Sequence, residues 1–344
     1  MVMSVKQMQP KLDLGILTKL VGDSITSSLP PTGFNPLTAP QKDLAVLGFP
    51  RRPNPALQPA EYAVWEKMFD PPFYFEQLKF SILPLIMIQA RELGRRLPRR
   101  QTSLNWSGAY ITPRDGTIFS SIWGSFQVPT PKQPIGGTAN KYRSSTWIGF
   151  DGQRRYYMST LPQFGTAQNI DVVMGVPQPS FFAWWQWWLR TDTGQSVPVS
   201  LSAPAIHAGD LILCLMQVAD DRAGVSFMMK NLTTSRVVQF SQGAPPSEYW
   251  HRPYKVSGAT AEWVMERSAE WPDPTPLELP DYGTVDFHGC GATAVNVNTG
   301  RTVDRSLSAA KLIDMYAVRH KPERTEKISI AKPIDTMEFL TKFP

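Results

Sequence analysis

The stretch FFAWWQWWL, Phe181 to Leu189, decides how this chain folds: two Phe and four Trp surround a single amide, Gln186. In a strand, successive side chains point to opposite faces. Phe182, Trp184, Gln186 and Trp188 therefore share one face, and Phe181, Ala183, Trp185, Trp187 and Leu189 the other. Both faces carry aromatic surface, so such a strand is covered on both sides. Either it is buried core in which Gln186 is incidental, or one of its faces lines an aromatic cleft and the amide is aimed at a ligand.

The segments around it have the same texture. From Asn105 onward, runs such as SGAYIT, IFSSIWGSFQV, SSTWIGFDG, DLILCLMQV, GVSFMMKNL, SRVVQFS and AEWVME follow one another, punctuated by Gly, Asn, Asp and Pro. Many short strands without alternating helices predict an antiparallel sandwich or barrel. Before residue 104 the chain differs. It has Pro-rich coil over 29–60, a helix expected over 59–69 with Tyr62, Trp65 and Phe69 on one face, and a second helix over 87–97. The basic RRLPRRQTS at 95–103 reads as a linker or processing site. The apolar FSILPLIMIQA at 80–90 is too short to cross a bilayer and reads as a packed helix or strand.

Charge is uneven along the 344 residues. Residues 1–104 hold 13 Lys/Arg against 8 Asp/Glu, residues 105–290 hold 13 against 15, and the rest hold 9 against 6. The aromatic-rich middle is thus mildly acidic, which disfavours nucleic acid as a partner. The four His show no ligand spacing, so no metal is expected. Cys214 and Cys290 form one bridge or remain two buried thiols. The first thirty residues carry no uninterrupted apolar run of a secretory leader.

Several motifs invite chemistry. Asp192-Thr193-Gly194 is the tripeptide of aspartic proteases, but it occurs once, between polar residues, and reads as a hairpin turn. Asn105-Trp106-Ser107 and Asn231-Leu232-Thr233 are glycosylation sequons, meaningful if the protein is exported. More informative is AEWVME, 261–266, where Glu262, Val264 and Glu266 fall on one face of a strand. On a solvated face the two acids would be idle; on a concave face they could serve as an acid and base pair, as in glycoside hydrolysis.

NWSGAYI (105–111), FQVPT (126–130), SSTWIGFDG (144–152), LPQFG (161–165), FFAWWQWW (181–188), GD (209–210), NLTT (231–234), AEWVME (261–266) and DYGTVDF (281–287) form an ordered set. Together they resemble the eqolisins, the glutamic peptidases of family G1, acid endopeptidases with a concanavalin-A-like antiparallel β-sandwich. The resemblance covers 105–344, most firmly to 290. It implies a catalytic pair of Gln163 and Glu266, with Trp106, Trp147, Asp151, Trp184 and Gln186 around the substrate cleft. The residue types suit the chemistry. A carboxylate can deprotonate an attacking water, and a side-chain amide, uncharged even in acid, can donate to the developing oxyanion.

One position departs from the pattern: the family has Glu where this chain has Gln186, and Asp where it has Phe182. The resemblance further implies that residues 1–104 are a basic prosegment, cut near RRLPRR and released as acid protonates the carboxylates it binds. It implies a polypeptide substrate, no cofactor, no membrane association and a monomer. Relatives are exported, so the absence of a leader leaves the location open. Two other readings fit the residues: a non-catalytic sandwich that binds carbohydrate or peptide in its aromatic cleft, and a glycosidase using Glu262 and Glu266.

Overall fold

The computed structural model describes residues 24–83, 85–86, 100–153, 160–189, 197–247, 252–270, 273, 275–320 and 323–344. The helix expected over 87–97, most of the basic 95–103 stretch and the Asp192–Gly194 tripeptide lie outside these residues. What is described is mostly antiparallel sheet, as the sequence predicts.

Fourteen strands make the body of the fold. They are β1 (Trp106–Ile111), β2 (Thr117–Gln127), β3 (Lys141–Phe150), β4 (Leu161–Val173), β5 (Val176–Trp188), β6 (Val199–Leu201) and β7 (Leu211–Val218). Then follow β8 (Gly224–Asn231), β9 (Arg236–Gly243), β10 (Ala261–Glu266), β11 (Thr284–Asn296), β12 (Lys311–His320), β13 (Glu323–Pro333) and β14 (Phe339–Lys342). The front sheet runs β6-β5-β4-β3-β10-β1-β12-β13. The back sheet runs β9-β8-β7-β2-β11-β14-β13. β13 joins both, pairing β12 through residues 323–329 and β14 through 330–333.

The inner faces of the two sheets form the main core, and the opening stretch contributes to it as its alternation dictates. Ala183, Trp185, Trp187 and Leu189 of the β5 region lie among Phe164, Phe227, Phe240 and Trp263. Phe227 and Phe240 stack with ring centroids 4.6 Å apart, and Phe164 meets Phe227 edge-on at 5.5 Å. Such contacts lock the sheets face to face. Trp184 belongs instead to a second cluster on the outer face of the front sheet, with Trp106, Tyr110, Trp147, Leu161 and Val264.

The back sheet is apolar on its outer face as well, which explains runs such as LILCLMQV. Ile212, Cys214 and Met216 point into the sandwich, whereas Leu213 and Leu215 point out. The N-terminal segment covers them. Helix α1 (Gln41–Val46) and helix α2 (Pro59–Met68) bring Leu44, Trp65, Met68 and Phe69 against Trp123, Leu213, Leu215, Met228 and Val237. Helix α2 forms where the Tyr62/Trp65/Phe69 spacing places it, with Pro59 in its first turn, where a missing N–H is harmless. Its Glu61 is fully buried and accepts from Gln58 Nε2 at 2.7 Å, Gln217 Nε2 at 2.9 Å and Thr293 Oγ1 at 2.8 Å.

The segment then crosses to the front. Tyr74–Phe75 pairs with β9, and Phe80–Ile82 extends the front sheet beside β6. Leu83 follows, packing onto the cluster that holds Trp106 and Trp147.

Both cysteines are buried free thiols. Both sequon asparagines are fully buried: Asn105 donates to Glu266 at 3.3 Å and Asn231 to Asp210 at 2.8 Å, so neither side chain presents an acceptor for a glycan.

Trp65 tests how far the N-terminal segment belongs to the folded unit. Trp65→Ala is expected to cost about 3–5 kcal/mol in urea unfolding of the full chain, the usual penalty for an emptied aromatic site in a core. An unchanged midpoint would show the segment to be an independent appendage.

Candidate functional site

The register of the front sheet lays the expected residues out in rows on its outer face. One row reads Gln186, Gln163, Gly149, Glu262, Tyr110 and Lys311 across β5, β4, β3, β10, β1 and β12. The next reads Trp184, Gly165, Trp147, Val264, Gly108 and Ile313, and the one after it Phe182, Ala167, Ser145, Glu266 and Trp106. Rows stand about 6.7 Å apart and strands about 4.8 Å apart. All the residues expected at the site except Asp151 therefore fall within three rows.

Two glycines make room for the indole at the centre. A Cβ at Gly165 would lie 2.7 Å from Trp147 Cβ, and one at Gly149 would lie 3.0 Å from Trp147 Cζ3 and 3.2 Å from Gln163 Cβ. Trp106 braces the ring edge-on, with centroids 4.9 Å apart at 79°. So held, Trp147 donates its Nε1–H to Glu266 Oε2 at 2.8 Å, and Asn105 Nδ2 donates to the other oxygen at 3.3 Å. Two N–H donors on one carboxyl fix its orientation. In the sequence Asn105 is a sequon and the first residue of NWSGAYI; its contact with Glu266 appears only in the structure.

Gln163 donates from Nε2 to Gln186 Oε1 at 2.8 Å, and its own Oε1 is buried without a partner. The Gln at position 186 thus acts as an acceptor that orients its neighbour.

Asp151 lies at the end of β3, not among the rows. It has a left-handed backbone (φ 65°) and accepts from Ser257 N at 2.7 Å, Ser257 Oγ at 2.8 Å, Gly258 N at 3.3 Å and Ala259 N at 2.7 Å. Burial pushes its carboxyl up, and these four donors work against that. Its task is to pin the turn that leads into β10, the strand carrying both Glu262 and Glu266.

Glu262 contrasts with Glu266. It is fully buried, as Glu266 is, but its oxygens lack a close hydrogen bond, with only the Thr260 hydroxyl near enough to act on them among the described residues. Burial pushes its carboxyl well above the ordinary range; the nearby Asp151 adds to the effect, and Thr260 offsets part of it. Trp106 Nε1, Trp184 Nε1, Ser145 Oγ and Gln163 Oε1, on the same face, are also buried without partners. Buried polar groups in native proteins are nearly always satisfied. The face is closed as it stands: Gln163 and Gln186 are each 1% exposed, and Glu262 and Glu266 are 0% exposed. Among the described residues, no group of three or more His, Cys, Asp or Glu could hold a metal.

The model of the Peptidase A4 family matches residues 104–330. The chain belongs to the Peptidase A4 family. This is the eqolisin or glutamic peptidase family G1, so the resemblance read from the ordered motifs holds, and membership supports a peptidase function in general. No curated protein matches the chain.

Among solved structures, tailspike protein 2 of bacteriophage CBA120, in its enzymatically active domain, overlaps at TM-score 0.23 and 10% identity, covering 52% of this chain and 23% of that one. The basic winged bean lectin with Tn-antigen overlaps at TM-score 0.17 and 11% identity, covering 58% and 96%. The chain thus spans less than a quarter of the tailspike domain, and overlaps this weak carry no argument.

Two measurements follow from the buried groups of this Peptidase A4 member. Glu61 and Glu262 both bind their protons more tightly folded than unfolded. Their contribution to stability is complete below the unfolded Glu value of about 4.3 and is lost as pH rises through the raised folded value. The melting temperature is expected to fall as pH rises above about 4, and less steeply in Glu262→Gln; equal slopes would show that Glu262 does not titrate in the fold. Separately, Gln186→Leu strands the Gln163 amide in a buried site and is expected to cost about 1–3 kcal/mol in denaturant unfolding. Gln186→Glu, which keeps an acceptor, should cost less at acid pH.

Proposed function

We propose that this chain is an acid-acting glutamic endopeptidase in which Glu266 activates water and Gln163 stabilises the tetrahedral intermediate. The observation that carries the reading is the setting of Glu266. Its oxygens are held by Trp147 and Asn105 on the face that also bears the Gln163 amide and several unpartnered polar groups. A carboxylate with two N–H donors is fixed in direction and ready to accept a proton from water. Gln163 Nε2 gives one hydrogen to Gln186, which leaves a second N–H on a fixed amide for an oxyanion. Open donors such as Trp184 Nε1 and Trp106 Nε1 suit the carbonyls of an extended peptide, and the surrounding rings suit its apolar side chains.

The same reading makes the chain a precursor. With Gln163 and Glu266 buried and Leu83 packed on the site cluster, a substrate reaches the pair only after the covering chain moves. Of the basic stretch read as a linker, Arg100–Ser103 is instead a strand paired with β12 and tied by Arg100 to Asp314, so the natural place to cut is the basic sequence ahead of it, 95–99. Anchoring of the preceding residues is largely apolar, through Trp65, Met68 and Phe69, and acid does not loosen apolar contacts. Opening therefore depends on cleavage more than on titration.

Cleavage of a denatured protein across pH 2 to 7, before and after acid treatment of the full chain, tests this. Activity confined to acid, untouched by pepstatin, is expected, with Glu266→Gln lower by at least about 10² and Gln163→Ala by about 10²–10³. A Glu266→Gln protein that cleaves as fast as the parent would sink the assignment.

A further inference from the structure

We infer that Glu61 and Asp304 share one proton through the Thr293 hydroxyl, and that this proton latches the N-terminal segment to the back of the sandwich, tight in acid and loosened as pH rises. Neither acid belongs to the face that carries Glu266. Register puts the receiving groups in one row on the outer face of the back sheet. Gln217 of β7 pairs with Ser121 of β2, Ser121 with Thr293 of β11, and Thr293 with Asp304 of the strand Thr302–Arg305. The residues next to this row are apolar: Leu215 lies two positions from Gln217, and Trp123 two from Ser121. Helix α2 lays Glu61 on the polar row, while Trp65 and Met68, one and two turns on, join the cluster of Leu215 and Trp123. The strand bearing Asp304 also holds the start of the helix. Ala60 N donates to Asp304 Oδ2 at 3.0 Å, and Thr302 Oγ1 donates to Leu57 O at 3.0 Å.

Counting hydrogens is the first ground. Thr293 Oγ1 lies 2.8 Å from Glu61 Oε2 and 2.8 Å from Asp304 Oδ1. A hydroxyl has one hydrogen, and an ionised carboxylate has none to give. Were both acids ionised, one of these two contacts would set oxygen against oxygen with no hydrogen between them. One proton is therefore held by the two acids together. Thr293 accepts it from one carboxyl and donates its own hydrogen to the other, so the proton belongs to the pair.

Environment is the second ground. Burial pushes the Glu61 carboxyl up, the charge of Asp304 adds to this, and Ser121, Gln217 and Thr293 offset part of it. Gln58 and Gln217 give Glu61 amide hydrogens, but among the described residues no cation is bonded to it. Arg51, whose carbonyl receives Gln217, turns its guanidinium to Asp220. Arg305, beside Asp304, reaches Asp115 at 3.6 Å, and Glu66 and Lys67 of α2 are exposed. When the proton leaves for solvent, two negative charges face each other across one hydroxyl, and Glu61 becomes a buried ion without a cation. Lifting α2 returns it to water. The docked form thus binds its proton more tightly than the open form. Its advantage is complete below the ordinary Glu value of about 4.3 and is lost as pH rises through the raised value.

The test is amide hydrogen exchange of the full chain from pH 4 to 8, corrected for the intrinsic rate at each pH, with β5 as internal reference. Protection of residues 59–69 is expected to fall about tenfold per pH unit through the window in which the pair loses its proton, while β5 keeps its protection. Glu61→Gln gives Thr293 a permanent hydrogen and should make the protection of 59–69 flat with pH. In infrared spectra, a protonated-carboxyl band lost over the same window should be missing from Glu61→Gln. In Asp304→Asn it should move to lower pH, which a merely structural role for Asp304 would not produce. Protection of 59–69 that is independent of pH in the parent, or that varies equally in Glu61→Gln, overturns the inference. So does an equal loss over 59–69 and β5, which would make Glu61 a determinant of the whole fold and no latch. Melting at pH 4 shows whether the variants fold; should Glu61→Gln not fold, the band in Asp304→Asn decides, and its failure to move overturns the shared proton.

Discussion

The hydrogen bond from the Trp147 indole to Glu266 is the contact on which the site depends. It needs a large ring lying flat over neighbouring strands, so the residues beside it, Gly149 and Gly165, carry no side chain. It also needs the ring fixed in one orientation, which the edge-on contact with Trp106 supplies. β10 must enter the sheet at a set position to bring Glu266 within reach, and Asp151 secures this by gathering the donors of residues 257–259. Each of these parts would be unremarkable alone. Together they hold a carboxylate in a dry aromatic setting, where a hydrogen bond is electrostatically stronger than in water.

The N-terminal segment is built into the core of the sandwich. Its helices cover an apolar outer face formed by Trp123, Leu213, Leu215, Met228 and Val237, and its last described residues reach the site cluster. Removing all of it would uncover a patch of the kind that drives association.

Much of the fold is legible in the amino acids. Period-two alternation in FFAWWQWWL, LILCLMQV and AEWVME places each side chain on the face it occupies, and the spacing of Trp65 and Phe69 marks α2. The site is legible in part. Gln163, Glu266 and Trp147 stand out by motif, whereas nothing in the motifs says that Asn105 donates to Glu266 or that Gly149 makes room for the Trp147 ring. Asp151 was expected in the cleft region and lies beside it, bracing a turn.

What the sequence determined by itself is local. The pleat puts odd and even residues on opposite faces, and hydrophobic burial then requires both faces of β5 to be covered. What only the tertiary structure decided is which residues face one another across strands. Gln163 comes into line with Glu262, and Trp147 with Val264, because β3 lies between β4 and β10 in one particular register. That order is chosen by the packing of the whole sandwich, since a shift of two residues would keep every side chain on its proper face and still dismantle the site.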